Sequence, residues 1–316
     1  MQYKLLKRSL IRDFMLLSKT EIQIAKQNSS HFVSFKYIEA NGTLKQIDTS
    51  FNSLEGDRSF VCNNEINLKT IDGKNFIDPF RSLPTTSFFC ENIASKYNSR
   101  KVAVTLVSQS SEEFKPTLSA EISFWIAETY SQSDYQFIAD PIDKYANLRS
   151  DIMSTLESIN IKTTIHFHGP TSGESIIGIR GNDVVDLSDN VIITKFIIAN
   201  IAESYGFTVQ FTALDSSINN ISLVIQGHDN DMNKLLNAMQ LNIEQISLVS
   251  SNTINGFELA SIHPYKIDVS NTSNSALKIS LICNNLFIPY LAFAELLLYN
   301  VDKNFLKNEI SGYFNK

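Results

Sequence analysis

The stretch Thr164 to Ile179, T-I-H-F-H-G-P-T-S-G-E-S-I-I-G-I, holds the residues best placed to do chemistry. Ile165 and Phe167 alternate with His166 and His168, the period-two pattern of a strand with one buried face. Gly169-Pro170 and Ser172-Gly173 interrupt that strand, and a second one begins at Ser175. Such a hairpin would bring two imidazoles and Glu174 to one mouth, a set suited to a metal or a phosphate. Glu121, on an earlier strand, could join His166 and His168 around one ion. Hydrogen-bonded structural histidines account for the same pair without any metal. Ser123, Ser172 and Ser175 have no recognisable base partner, so no nucleophile is assigned.

These side chains need strands to carry them and helices behind the strands. Leu6, Leu10, Phe14, Leu17 and Ile24 recur at helical spacing through Tyr3 to Lys26, which gives an N-terminal helix within residues 1–30. From His31 to Ile47 the pattern alternates around Asn41-Gly42, a hairpin signal, and Asp72-Gly73 marks a second turn. Residues 31–98 therefore read as a small sheet-rich domain. Beyond it, Val102 to Ser108, Leu118 to Ile126 and Tyr135 to Ala139 read as strands. Ile142, Tyr145, Leu148, Ile152, Leu156 and Ile159 mark a helix leading into the His166 hairpin. A second helix is expected after Asp189, running to Tyr205 with Gly206 as its stop. Phe207 to Ala213 and Ile221 to Gln226 read as strands, Met232 to Leu248 as a third helix, Leu277 to Cys283 as a strand. Pro289 then opens a last helix, its missing amide harmless in a first turn. Helices that each bury one stripe against a sheet make residues 99–316 an α+β domain of catalytic type.

Composition narrows the function classes. Hydrophobic residues are 43% of the 316 and charged residues 19%, enough apolar content for a sizeable core. A net charge of −6 with a pI near 5.4 leaves no basic field to hold a nucleic-acid backbone. No run long and apolar enough to span a bilayer occurs, and the basic start is broken by Arg8, Arg12 and Asp13 rather than followed by a signal-peptide core. Cys62, Cys90 and Cys283 are odd in number and in no metal-binding spacing, as ordinary thiols of a reducing compartment would be. The expectation is a cytoplasmic protein with neither nucleic acid nor membrane as a partner.

The order of segments resembles bacterial glutamine synthetase from about residue 31 to residue 312. Phe76-Ile77-Asp78-Pro79-Phe80, then Leu83-Pro84-Thr85-Thr86 and Phe89-Cys90, is similar to the end of that family's small β-grasp domain. Ala120-Glu121-Ile122-Ser123-Phe124 stands where the family has its E-x-E-F strand. Asp140-Pro141 with Arg149-Asp151 resembles the helix before the family's metal hairpin, and His166 to Ile177 resembles H-H-E-V-A-T-x-G-Q-x-E-I. Ile288 to Ala294 is close to N-P-Y-L-A-F-A. The resemblance implies a β-grasp-like domain followed by a glutamine synthetase/guanido kinase-like catalytic domain, with an antiparallel sheet and packed helices. It also implies ATP-dependent joining of ammonia to glutamate, with two divalent metals held by carboxylates and arginines clamping phosphate.

Position by position, that machinery is depleted. Glu121 keeps the first carboxylate of E-x-E, but the second position is Ser123. The two hairpin glutamates correspond to His168 and Ile176. The G-S-G-M-H-x-H segment falls on Asn219 to Ile225, and its preceding lysine on Leu214. A K-R pair falls on Glu258-Leu259, and the arginine of N-R-S-A on Asn274. No arginine follows Arg180, although the family's substrate-gripping arginines lie in that later half. Glu121, Ser123, His166, His168 and Glu174 thus form a vestigial site with no catalytic residue assigned and no cofactor expected, neither ATP nor magnesium or manganese. The expected role is a binding, regulatory or assembly protein that has lost glutamine synthesis and acts through self-association or a protein partner. The C-terminal contacts of the family's rings are expected to be missing. The alternative is a divergent enzyme using the residual cavity, with a histidine-bound metal or residual ligase activity.

Overall fold

The computed structural model describes residues 17–39, 43–56, 66–95, 98–109, 116–126, 136–211, 218–227, 266–273 and 276–284. The chain divides into two units, Met1–Asn98 and Ser99–Lys316, each built on its own sheet. The fold is α+β.

In the first unit, helix α1 (Lys19–Gln27) starts at a reciprocal cap. Ser18 Oγ accepts from the Glu21 amide and the Glu21 carboxylate accepts from the Ser18 amide, which satisfies two otherwise orphaned donors. Strands β1 (Phe32–Ile38) and β2 (Leu44–Ser50) form the expected hairpin, and a short helix α2 (Phe51–Gly56) follows. Strands β3 (Leu68–Ile77) and β4 (Thr85–Asn92) complete a sheet of order β2-β1-β4-β3, with β1 and β4 parallel at its centre and antiparallel pairs outside. The expected break at Asp72-Gly73 is absorbed inside β3 instead. The ladder slips between Thr70 and Asn75, and Gly73 takes a positive φ of 73° that side-chain-bearing residues resist. Val33, Phe35 and Tyr37 of β1 pack with Phe88 and Cys90 of β4, with Leu54 and with Ala25. Burial pushes the Cys90 thiol well above its ordinary range, so it behaves as a small hydrophobe rather than a nucleophile.

The second unit opens with a correction. Val102 to Ser108 is part of a helix, α3 (Ser99–Gln109), not a strand. The valines alternate as a strand's would, yet the segment is helical, with Ala103 fully buried and Val104 44% exposed. Arg100 in its first turn makes a two-pronged ion pair with the buried Asp189 carboxylate, which fixes α3 against the helix that carries Asp189. Strand β5 (Thr117–Ile126) is as expected. Residues 136–139 form a turn and irregular chain rather than a strand; Phe137 has a φ of 59°, which no strand residue adopts. Helix α4 (Ala146–Ser158) starts later than its apolar pattern predicts, because Asp143 accepts the Tyr145 amide and leaves Ile142 outside, 66% exposed.

The hairpin of β6 (Thr163–His168) and β7 (Glu174–Gly181) leads to helix α5 (Val184–Ser204). That helix begins before Asp189, at an Asp183 cap whose carboxylate accepts the Asp186 amide, and Gly206 follows its end with a φ of 79°. Of the strand expected over Phe207 to Ala213, β8 (Val209–Gln210) is the paired part. Strands β9 (Ile218–Gln226), β10 (Lys266–Ser273) and β11 (Ala276–Asn284) finish a seven-stranded sheet of order β10-β11-β9-β5-β7-β6, with β8 pairing β5. Helices α4 and α5 pack on β5, β6 and β7. The helices expected over Met232 to Leu248 and from Pro289 lie outside the described residues, as do most of Tyr3 to Lys26 and Leu214, Glu258-Leu259 and Asn274.

Candidate functional site

Ladder register decides which of the predicted residues can meet. Opposed residues of an antiparallel pair share a face of the sheet, and neighbours along a strand alternate. Glu121 of β5 stands opposite Gly178, Ser123 opposite Ile176, and Trp125 opposite Glu174. Across the hairpin, Phe167 stands opposite Ile176, while His166 pairs with Ile177 and His168 with Ser175. Glu121, Ser123, Glu174 and Phe167 therefore lie on one face, and both histidines lie on the other. The hairpin does not bring two imidazoles and Glu174 to one mouth, and Glu121 does not join His166 and His168. Their parities differ by one residue, which in a strand means opposite sides.

On the helix-covered face the histidines belong to a buried polar network. Arg149 of α4, 1% exposed, donates through both terminal nitrogens to the Asp143 carboxylate. It also donates to Ser175 Oγ at 3.2 Å and, through Nε, to His166 Nδ1 at 3.3 Å. Burial disfavours the Asp143 carboxylate, but the hydrogen bonds and charge of Arg149 outweigh it and hold the carboxyl below its usual range. Burial first, and then the Arg149 charge, push His166 below an ordinary imidazole, against the pull of Asp143. A neutral His166 can accept the hydrogen bond from Arg149 Nε at its Nδ1; a protonated one could not. His168 is buried, its Nδ1 2.7 Å from the Gly169 carbonyl, which makes that nitrogen the N–H donor. Sequence reasoning singled out the histidines and missed Asp143 as their organiser, although Asp143 lies six residues before Arg149.

Glu174 is a structural carboxylate. It is 2% exposed, and its Oε2 accepts from the Thr171 amide at 3.1 Å and from Thr171 Oγ1 at 2.8 Å. Thr171 Oγ1 in turn accepts from Trp125 Nε1 at 2.9 Å, which ties the hairpin turn to β5. Two glycines make this possible. A Cβ at Gly169 would lie 2.4 Å from Glu174 Cδ, and one at Gly173, where φ is 70°, would lie 2.3 Å from the Ile126 carbonyl oxygen. Gly173→Ala thus combines a disfavoured conformation with a backbone clash. It is expected to lower stability by about 1–3 kcal/mol, measured by urea unfolding; an unchanged midpoint would mean the turn is held in some other way.

On the other face Glu121 has a partner the sequence did not suggest. Lys278 Nζ of β11 donates to Glu121 Oε2 at 2.5 Å, the two side chains being 29% and 19% exposed. Glu174 shares this face but lies four residues farther along the ladder, about 13 Å at strand spacing. Between them stand Ser123 and Ile176, opposite one another and both buried. Among the described residues no three His, Cys, Asp or Glu side chains gather as a metal site needs. Magnesium and manganese take several oxygen donors, and the described donors do not make that set.

Comparison with known proteins bears on this geometry. The family model for the glutamine synthetase catalytic domain matches residues 97–222, the stretch containing β5, the His166 hairpin and α5. Over these residues the chain is similar to that catalytic domain. Over 76 residues the chain is 36% identical to the glutamine synthetase of Methylococcus capsulatus, a stretch that is 24% of this chain and 16% of that protein. It is 34% identical over 76 residues to the 3-hydroxylaminophenol mutase of Cupriavidus pinatubonensis, again 24% of this chain and 16% of the relative. The chain thus matches about a sixth of the length of these curated relatives. The fold extends further. The Plasmodium falciparum glutamine synthetase structure superposes with a TM-score of 0.67 over 91% of this chain and 75% of its own, at 13% identity. No described helix is long and apolar enough to cross a membrane.

Proposed function

We propose that this glutamine synthetase-like protein works by binding, as a regulatory or assembly component, and no longer by ATP-dependent ligation. The observation that carries the reading is the facing pair Ser123 and Ile176. Under the family resemblance both positions would be glutamates; here one is a short hydroxyl and the other a hydrocarbon. Metal-assisted phosphoryl transfer depends on the metal and its charge clamp for most of its rate, so losing the donors removes several kcal/mol from more than one contribution. The missing arginines beyond Arg180 act in the same direction. The reading extends to a cytoplasmic protein that self-associates or holds a protein partner, the small unit with its central parallel pair serving as a β-grasp-like module.

The alternative of a histidine-bound metal loses support from the register, which sets His166 and His168 among Arg149, Ser150, Ser175 and the Gly169 carbonyl. The test uses the purified full chain, assayed for ATP- and metal-dependent glutamine formation, together with thermal unfolding in the presence of nucleotide, glutamate and divalent ions. The expected result is no turnover and no concentration-dependent rise in unfolding temperature with magnesium-ATP, since a ligand stabilises only the folded state it binds. Turnover abolished by Glu121→Gln would contradict the proposal.

A further inference from the structure

Lys278 stands out once the rows of the sheet are followed. On β9, which lies between β5 and β11, Ser222 is opposite Glu121 and Val224 is opposite Lys278. Glu121 and Lys278 are therefore two strands apart, about 10 Å between backbones, and offset along the sheet by one same-face position. A lysine side chain is long enough to cover most of that span. The path between them passes Ser222, a small side chain that is itself buried. The contact joins residues 157 apart in sequence.

We infer that the Lys278 ammonium is this protein's built-in substitute for the cation of the carboxylate face: it occupies on Glu121 the position a divalent ion would need, and it fastens β11 to β5 across β9. The inference rests on the proposed loss of metal-dependent ligation and adds the residue that fills the place. A carboxylate left in a partly desolvated position needs a positive partner. With Ser123 and Ile176 unable to complete a metal site, a tethered single charge meets that need without further donors. A bound divalent ion and the ammonium compete for the same oxygen, so each excludes the other.

The test measures manganese binding by water-proton relaxation in four forms of the full chain: wild type, Lys278→Met, Ser123→Glu, and the double variant Ser123→Glu/Lys278→Met. Saturable binding is expected in the double variant, at least tenfold tighter than in Ser123→Glu, and abolished by adding Glu121→Gln. Equal binding by Ser123→Glu with Lys278 intact would overturn the inference, as would no binding by a folded double variant. Ser123 is buried, so a second measurement stands apart from that substitution. In a double-mutant cycle by urea unfolding, Glu121→Gln and Lys278→Met should couple by about fivefold in the unfolding equilibrium constant. Additive effects would show that the pair does not tie the strands and would sink the proposal. Manganese bound by the wild type would overturn both readings, whereas additive effects in the cycle with no manganese bound by the wild type would overturn this inference alone, so the two failures are distinguishable.

Discussion

Arg149→Ala is expected to destabilise the second unit by about 3–5 kcal/mol, because it strands the Asp143 carboxylate without its cation. Arg149 is the hub of a buried set that joins α4 to both strands of the hairpin through His166 and Ser175. Removing it also leaves an imidazole and a hydroxyl without their donor. Arg149→Lys should recover only part of the loss, since a single ammonium cannot make the forked contact with Asp143 and still reach His166 and Ser175. Urea unfolding of each variant, followed by the fluorescence of the one tryptophan, Trp125, reads this directly. A loss below 1 kcal/mol for Arg149→Ala would mean that the network is not formed.

The first unit offers an equal effect. Lys36 and Asp78 are buried together, with Nζ 3.1 Å from Oδ2 and side chains 2% and 1% exposed. Lys36 also donates to Ser34 Oγ and Gln46 Oε1, while Asp78 accepts from Ser87 Oγ and the Phe80 amide. Burial lowers the lysine pKa from its ordinary value and Asp78 opposes that fall. Lys36→Met should cost about 3–5 kcal/mol, again by leaving a buried charge uncompensated. Lys36→Met combined with Asp78→Leu should regain much of it, because two apolar groups of similar volume remove the desolvation penalty along with the attraction. Limited proteolysis with fragment mapping would check that cleavage appears first within Met1–Asn98. A double variant no better than the single would show that the Ser34, Gln46 and Ser87 contacts carry the stability instead.

The hairpin was legible in the sequence because alternation, two turn glycines and β-branched residues all point to the same structure. Val102 to Ser108 misled for the complementary reason. Its valines favour a strand locally, and only the Arg100–Asp189 pair and the buried Ala103, tertiary facts, make it a helix. Asp189 looked like a cap because aspartate favours caps; its actual role is as an ion-pair partner inside α5, while Asp183 does the capping. The site shows the limit most clearly. Alternation within T-I-H-F-H correctly sets the two histidines on one side, but no single strand reveals which side carries Glu121. That depends on Ser123 pairing with Ile176 and Ile176 with Phe167, a register fixed between strands. Lys278 was invisible for the same reason, since nothing near residue 278 mentions residue 121.

The central claim is that the face carrying Glu121 is closed to divalent ions by what the sequence has placed there. A manganese titration of the wild-type chain, followed by electron paramagnetic resonance, tests it most directly. The account predicts that free manganese rises in step with the amount added, with no stoichiometric bound fraction, whether or not ATP is present. One manganese bound per chain, and released by Glu121→Gln, would contradict it.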